Sequence, residues 1–351
     1  MKFYVGCLCF FLLIISAAFA SESVRIGKVS VNPKMVDFSK GDKAAISFTT
    51  SEKSFLSILF KDEGGNLLNE YEIGLQAAGK QVFSWDGKMQ NGETIKTDVA
   101  IYVIDARSED GQRVRFDPSS ETGGTDLSFP KFSLDKKSGK IEYTLPQAAR
   151  VRLRAGILQG ALLKTIFDWK AEEAGKHEFI WNGLDKSGEI NLLKNPDLNL
   201  NLNAFSLPDN TIIINGIEPA YSEPDSIYRA LNTGRHFHYP HPRINCHEPK
   251  FKIVFSDAIE KDEKGTPLLK GKTAFSVEID PSDQTDLIRK RFEVMVYFDS
   301  NFLFEEEQAV TPATFMLDTS GWAPGYHLLT VNVMSYDDHI GVETVEVKVA
   351  A

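Results

Sequence analysis

Apolar and polar residues alternate in short runs along most of this chain, the period-two pattern of strands buried on one face. In the first third the runs are Ala45–Thr50, Phe55–Phe60, Leu67–Tyr71, Gln81–Trp85 and Ala100–Ile104. Within the second of them Leu56, Ile58 and Phe60 share a face. Asp62-Glu63-Gly64-Gly65-Asn66 reads as a hairpin turn, with glycines able to take positive φ. Further strands are expected at Ile141–Leu145, Val151–Arg154, Leu162–Phe167 and Leu198–Phe205, the last a strict alternation of Leu and Asn at its start. Thr211–Ile214 reads as the strand that closes this second group. A third group comprises Phe251–Phe255, Phe275–Ile279, Phe292–Phe298, Phe315–Ser320, Leu328–Val333 and Val342–Val349. Short strands with turn residues every ~8–12 positions predict antiparallel sandwiches, so the expected fold class is all-β.

One block recurs and sets the spacing of the rest. Ala78-Gly79-Lys80-Gln81-Val82-Phe83-Ser84-Trp85-Asp86-Gly87 reappears as Ala174-Gly175-Lys176-His177-Glu178-Phe179-Ile180-Trp181-Asn182-Gly183. From Ala78 to Ala174 the offset is 96, and it carries on into Asn91-Gly92-Glu93 and Ser187-Gly188-Glu189. Phe83 and Trp85 are two apart and point to one face, as do Phe179 and Trp181. Two aromatics on one face either fill a small core or form a platform on which a sugar stacks. The Asp-Gly turn that follows favours the core.

The first group also resembles a known family. The resemblance is carried by Phe38-Ser39, Gly41-Asp42, Asp62, Gly65, Leu67, Ala78-Gly79, Trp85-Asp86-Gly87, Asn91-Gly92 and Tyr102. They look like the immunoglobulin-like domain of the bacterial flagellar hook-capping protein, a building block of many exported bacterial proteins. That family usually has Gly before its last strand, where this chain has Thr97-Asp98. Near the C-terminus, Phe315-Met316-Leu317-Asp318-Thr319-Ser320, Gly325-Tyr326-His327, Gly341-Val342 and a closing strand resemble another bacterial immunoglobulin-like class. In that class Gly-x-His-x-Leu marks the second-to-last strand, which implies a structural role for His327. Both resemblances imply spacing and docking rather than catalysis.

The expected organisation is a signal peptide over 1–20, immunoglobulin-like module 1 over 21–112, a polar linker over 113–130 and module 2 over 131–216. A His-rich connector follows over 217–249, then module 3 over 250–351. Val114-Arg115-Phe116 reads as a short edge strand within the linker, and Ser222 as the cap of a short helix ending near Leu231.

Composition adds location and partners. Met1-Lys2, the apolar run Val5–Ile15 and Ala18-Phe19-Ala20 form an export signal, with cleavage expected before Ser21. The apolar run is shorter than the ~20 residues of a spanning helix, and no later segment is long and apolar enough. Cys7 and Cys9 leave with the signal, so Cys246 remains without an internal partner and stability rests on core burial. Losing Lys2 takes the formal charge from −10 to −11. That disfavours nucleic acid as a partner. A periplasmic, extracellular or cell-surface protein with a protein partner is expected.

Candidate chemistry concentrates in Gly234–Pro249, which holds four of the seven histidines. His236 and His238 point the same way in an extended stretch, and His241, Cys246 and His247 could complete a ligand set across the turns at Pro240 and Pro242. Imidazole with thiolate suits zinc or copper. Cys246-His247 also matches the end of a c-type haem attachment sequence, but Arg243 stands where the first cysteine belongs. The alternative is an ordered connector with solvated histidines. Asp337-Asp338-His339 is either a loop tip or a smaller cation cluster. Esterase elbow, zinc-protease and phosphate-loop motifs are missing from the sequence. Glu305-Glu306-Glu307 reads as a solvated face or loop. The expected function is therefore a non-enzymatic spacer or accessory subunit of a cell-envelope or extracellular assembly. The alternatives are a metal-binding or haem-protein-associated accessory protein, and a carbohydrate-binding module.

Overall fold

The computed structural model describes residues 24–119, 125–127, 130–217, 248–256, 258–335 and 339–350. Eight strands come first: β1 (Ile26–Asn32), β2 (Met35–Val36), β3 (Ala44–Thr50), β4 (Ser54–Lys61), β5 (Leu67–Gln76), β6 (Gly79–Trp85), β7 (Val99–Ser108) and β8 (Arg113–Phe116). They are followed by β9 (Asp126–Leu127), β10 (Phe132–Asp135), β11 (Lys140–Leu145), β12 (Ala149–Ile157), β13 (Leu162–Glu172), β14 (Gly175–Ile180), β15 (Leu198–Ser206) and β16 (Thr211–Ile214). The remainder is β17 (Phe251–Phe255), β18 (Leu268–Leu269), β19 (Lys272–Ile279), helix α1 (Pro281–Lys290), β20 (Phe292–Phe298), β21 (Asn301–Glu306), β22 (Ala313–Asp318), β23 (Gly325–Ser335) and β24 (Ile340–Val349).

These strands build three sandwiches of the immunoglobulin-like kind. In the first, sheet β1-β3-β6 faces sheet β2-β16-β7-β4-β5, with β8 also paired to β7. The second sets β10-β11-β14 against β13-β12-β15-β9, and the third sets β17-β19-β22 against β18-β24-β23-β20-β21. Each has its own apolar core. Ile46, Phe48, Leu56, Ile58, Phe60 and Trp85 are among the buried residues of the first.

The repeated block folds the same way twice, and its identities have physical reasons. Trp85 stacks on Phe60 with ring centroids 3.9 Å apart. Its indole N–H donates to the carbonyl of Lys88 at 3.2 Å, and that of Trp181 donates to the carbonyl of Leu184 at 3.1 Å. The residue after each Trp accepts a backbone N–H two positions on: Asp86 from Lys88 at 3.3 Å, Asn182 from Leu184 at 3.0 Å. Gly87 and Gly183 then take φ of 76° and 79°. A Cβ on Gly87 would lie 2.4 Å from the Phe38 ring, and one on Gly183 2.5 Å from Leu193. Positive φ and close packing together require glycine there. Trp85 is 1% exposed and Trp181 3%, so both serve the cores and their rings offer no sugar platform.

Three elements depart from the sequence expectation. The stretch expected as linker contributes β9, paired to β15, besides the edge strand expected at Val114-Arg115-Phe116, which is β8, paired to β7. Helix α1 was not foreseen: Asp280 caps it by accepting the Ser282 N–H at 2.9 Å, with Pro281 in its first turn. Thr211–Ile214 does form a strand, but β16 does not close the second sandwich. It runs antiparallel to β7 and parallel to β2, inside the first. Thr211 and all three isoleucines are buried, so the strand needs cover on both faces. Asn210 directs it there by donating its side-chain amide to the Tyr102 carbonyl at 2.7 Å, while the Tyr102 N–H donates back to the Asn210 carbonyl at 3.0 Å.

Candidate functional site: the junctions between sandwiches

The strongest charge constellation among the described residues lies between the first two sandwiches. On β12, Ala149, Val151 and Leu153 point into the second core, so Arg150 projects from the opposite face. There it meets Glu63, from the β4–β5 turn, and Asp98, which precedes β7. Its Nε donates to both Glu63 oxygens at 2.9 and 3.0 Å. Nη1 donates to Asp98 Oδ2 at 2.9 Å and to the Trp169 carbonyl at 2.7 Å. Nη2 donates to Asp98 Oδ1 at 2.8 Å and to Glu63 Oε2. All five guanidinium N–H groups are used. Arg150, Glu63 and Asp98 are 4%, 7% and 5% exposed. Burial opposes the charge on Arg150, but Glu63 and then Asp98 outweigh it and hold the guanidinium firmly protonated. Burial, with Glu63 beside it, keeps the Asp98 carboxyl above its ordinary range despite Arg150. Two carboxylates thus share one cation, and the cluster is one positive charge short.

A small apolar core flanks this cluster: Val99 and Ile213 from the first sandwich meet Ala171 and Leu207. The junction is therefore apolar packing beside a buried ionic cluster.

The second and third sandwiches meet through an amide. Asn332 on β23 is 1% exposed. It accepts the Leu162 N–H on Oδ1 and donates from Nδ2 to the Leu162 carbonyl, each at 2.9 Å. The side chain thus completes the start of edge strand β13 as a neighbouring strand would. Lys186 adds contacts to Glu248 at 2.7 Å, the Val342 carbonyl at 2.9 Å and Glu343 at 2.8 Å. Burial disfavours its charge, but Glu248 and Glu343 outweigh that and raise its pKa. Tyr297, with Met295 beside it, packs into the second core from the third sandwich.

Other titratable groups are engaged in structure. The Tyr143 hydroxyl donates to Glu172, which also pairs with Lys170 at 2.9 Å and lies 3.3 Å from His177. Burial first, then Glu172, pushes the Tyr143 hydroxyl upward. His327 sits on β23, the second-to-last strand, as the resemblance implied. Its Nδ1 lies 2.6 Å from Asp299 Oδ2 and its Nε2 lies 2.7 Å from the Ala323 carbonyl. Both partners are acceptors, so both nitrogens donate only in the imidazolium form. Burial opposes that form, but Asp299 and the carbonyl prevail and raise the pKa above 6.5. A raised histidine pKa stabilises the fold fully below the unfolded value and less as pH rises through the folded one. The third sandwich should therefore lose stability as pH rises above about 6.5. His327→Gln should flatten that slope in urea melts, and an unchanged slope would exclude His327 as its source.

The proposed metal ligands His236, His238, His241, Cys246 and His247 lie outside the described residues, as do the expected helix after Ser222, Asp337, Asp338 and the export signal. His339 is described and buried. Among the described residues no group of three or more His, Cys, Asp or Glu is placed to hold a metal. No described helix is long and apolar enough to cross a membrane.

Glu63, Asp98, Arg150 and Asn332 escaped the sequence reading. One signal was present: Asp98 stands in the turn where the resembled family usually has Gly. That departure supplies the carboxylate that grips Arg150.

No curated protein matches this chain. Among solved structures it is similar to the fibronectin(III)-like modules of CbhA from Clostridium thermocellum, at 9% identity over 92% of this chain and 93% of that one, with a TM-score of 0.22. It is also similar to FLGD from P. aeruginosa, at 21% identity over 36% of this chain and 88% of that one, with a TM-score of 0.22. The tetra-tandem repeat in the extending region of a large adhesion protein is 11% identical over 94% of this chain and 75% of that one, with a TM-score of 0.20. The family that this chain matches by sequence, over residues 33–97 of the first sandwich, is the FlgD Ig-like domain.

Proposed function

We propose that the chain is an exported, non-enzymatic structural protein, a spacer or accessory subunit that holds a partner at a set distance and angle within a bacterial cell-envelope or extracellular assembly. The observation that carries this reading is the construction of the junctions. Arg150 reaches Glu63 and Asp98 across one of them with every donor but the one held by the Trp169 carbonyl, and Asn332 seals a strand edge across the other. Buried polar groups that are fully satisfied only in one arrangement favour that arrangement over alternatives. A flexible string of independent modules has no need of them.

Spin labels at Lys80→Cys and Lys272→Cys, both exposed positions in the first and third sandwiches, test this in a Cys246→Ser chain starting at Ser21. Electron–electron distance measurement should give one narrow distribution that persists at 1 M salt, because buried pairs are little screened. A broad or multiple distribution would sink the rigid-spacer reading.

A further inference from the structure

The path of the chain between the first two sandwiches has a consequence for how they hold together. Strand β16 is an interior part of the first sandwich, yet it follows the whole of the second in sequence. Ile212 and Ile214 join the first core, and Ile213 turns to the small core shared with Ala171 and Leu207. Its backbone is held on both sides: the Ile213 N–H donates to Lys34 at 2.8 Å, that of Ile214 to Asp98 at 2.7 Å, and that of Asn215 to Val36 at 2.7 Å. Without β16, β2 has no strand partner, and the Val99–Ile101 half of β7 loses its partner on that side.

The second sandwich brings its own entry and exit together. The Thr125 N–H donates to Ser206 Oγ at 2.7 Å, and the Ser206 N–H donates to the Thr125 carbonyl at 2.9 Å. While it is folded, β16 is delivered to its slot from the end of a short closed path. Once it unfolds, the same strand hangs from the whole loop of residues 117–210, and closing a longer loop costs more chain entropy. Unfolding also releases Arg150 from Glu63 and Asp98, leaving two buried carboxylates without their cation.

We infer that the second sandwich is an inserted clamp on the first: it holds β16 in the slot between β2 and β7, so that residues 24–217 open and close as one cooperative unit. The third sandwich has its own core and sheets and stands outside that unit, tied to it by the Asn332 and Lys186 contacts and by Tyr297 packed against the second core. The first sandwich is then completed only after residue 214 has been made and exported. This inference is independent of the spacer reading, because a flexible third sandwich leaves it untouched.

Native-state hydrogen exchange on the full chain tests it, using lesions confined to the second core. Leu163 and Ile141 are fully buried there, far in sequence from β4 and β7. Leu163→Ala should lower amide protection in β12 by about 30-fold or more. It should lower protection in β4 and β7 by the same factor, and leave β20 and β23 at wild-type values. Ile141→Val, a milder lesion that leaves the chain folded, should show the same joint loss at about 2- to 10-fold. If either variant loosens β11, β12 and β15 while β4 and β7 keep wild-type protection, the two sandwiches open separately and the clamp is refuted. Joint loss that also extends equally to β20 and β23 refutes it as well, since the unit would then be the whole chain.

Discussion

Trp85→Ala and Trp181→Ala should each cost about 3–5 kcal/mol, the range for deleting a buried aromatic from a packed core. Trp85 lies between Phe38, whose ring centroid is 5.2 Å away edge-on, and Phe60, stacked at 3.9 Å. Removing the indole opens a cavity against two rings held by separate elements, Phe60 on β4 and Phe38 in the 3-10 turn Phe38–Lys40, so the site cannot easily collapse. Trp181 is buried among Ile141, Leu145 and Leu192. Phenylalanine at either position separates volume from hydrogen bonding. It keeps much of the ring but leaves the carbonyl of Lys88 or Leu184 without its indole donor, which should cost about 1 kcal/mol beyond the volume lost. Urea unfolding followed by far-ultraviolet circular dichroism measures both series. A cost below about 1 kcal/mol for both alanine variants would mean that the repeated block does not anchor the cores.

Much of the fold was legible because it is local. Alternation located nearly every long strand: Leu56, Ile58 and Phe60 share a face and are buried in the first core. The repeated block showed where two sandwiches lie, because Trp, Asx and Gly make the same turn twice. What was not legible depends on contacts between distant residues. Thr-Ile-Ile-Ile announces a strand covered on both faces, but nothing within those four residues says which sheet receives it. That choice is made by Asn210, Lys34 and Asp98, the last more than 100 residues away. Arg150, Arg152 and Arg154 alternate with apolar residues as an exposed face would, yet all three are buried. A strand's outer face looks the same in sequence whether water or another sandwich covers it. Glu305 and Glu306 show the converse: read as a solvated face or loop, they are exposed on edge strand β21, where charge discourages further strand pairing. The sequence gives little sign of helix α1 because, among its described side chains, Leu287 alone enters the apolar core.

Arg150→Met should destabilise the chain by about 3–5 kcal/mol, the cost of removing one partner from a buried ion pair. The loss comes less from attraction forgone than from what is left behind. Glu63 and Asp98 would face each other under cover, and the Trp169 carbonyl would lose its donor. The pH dependence identifies the cause. In the variant, burial and the neighbouring Glu63 hold the folded Asp98 carboxyl still further above its unfolded value near 4, because Arg150 no longer opposes them. A raised carboxyl binds its proton more tightly in the folded state, so stability is regained as pH falls from 7 through the folded pKa toward 4. A structural defect of another kind would show no such recovery. The triple variant Arg150→Met, Glu63→Leu, Asp98→Leu removes all three charges and should return to within about 1–2 kcal/mol of wild type, as apolar replacements of buried ion networks often do. That variant then separates stability from orientation. With its melting restored, a distance distribution between Lys80→Cys and Lys272→Cys that broadens assigns the cluster to holding the sandwiches at one angle. A distribution as narrow as wild type assigns that task to Val99, Ala171, Leu207 and Ile213, the apolar residues beside it.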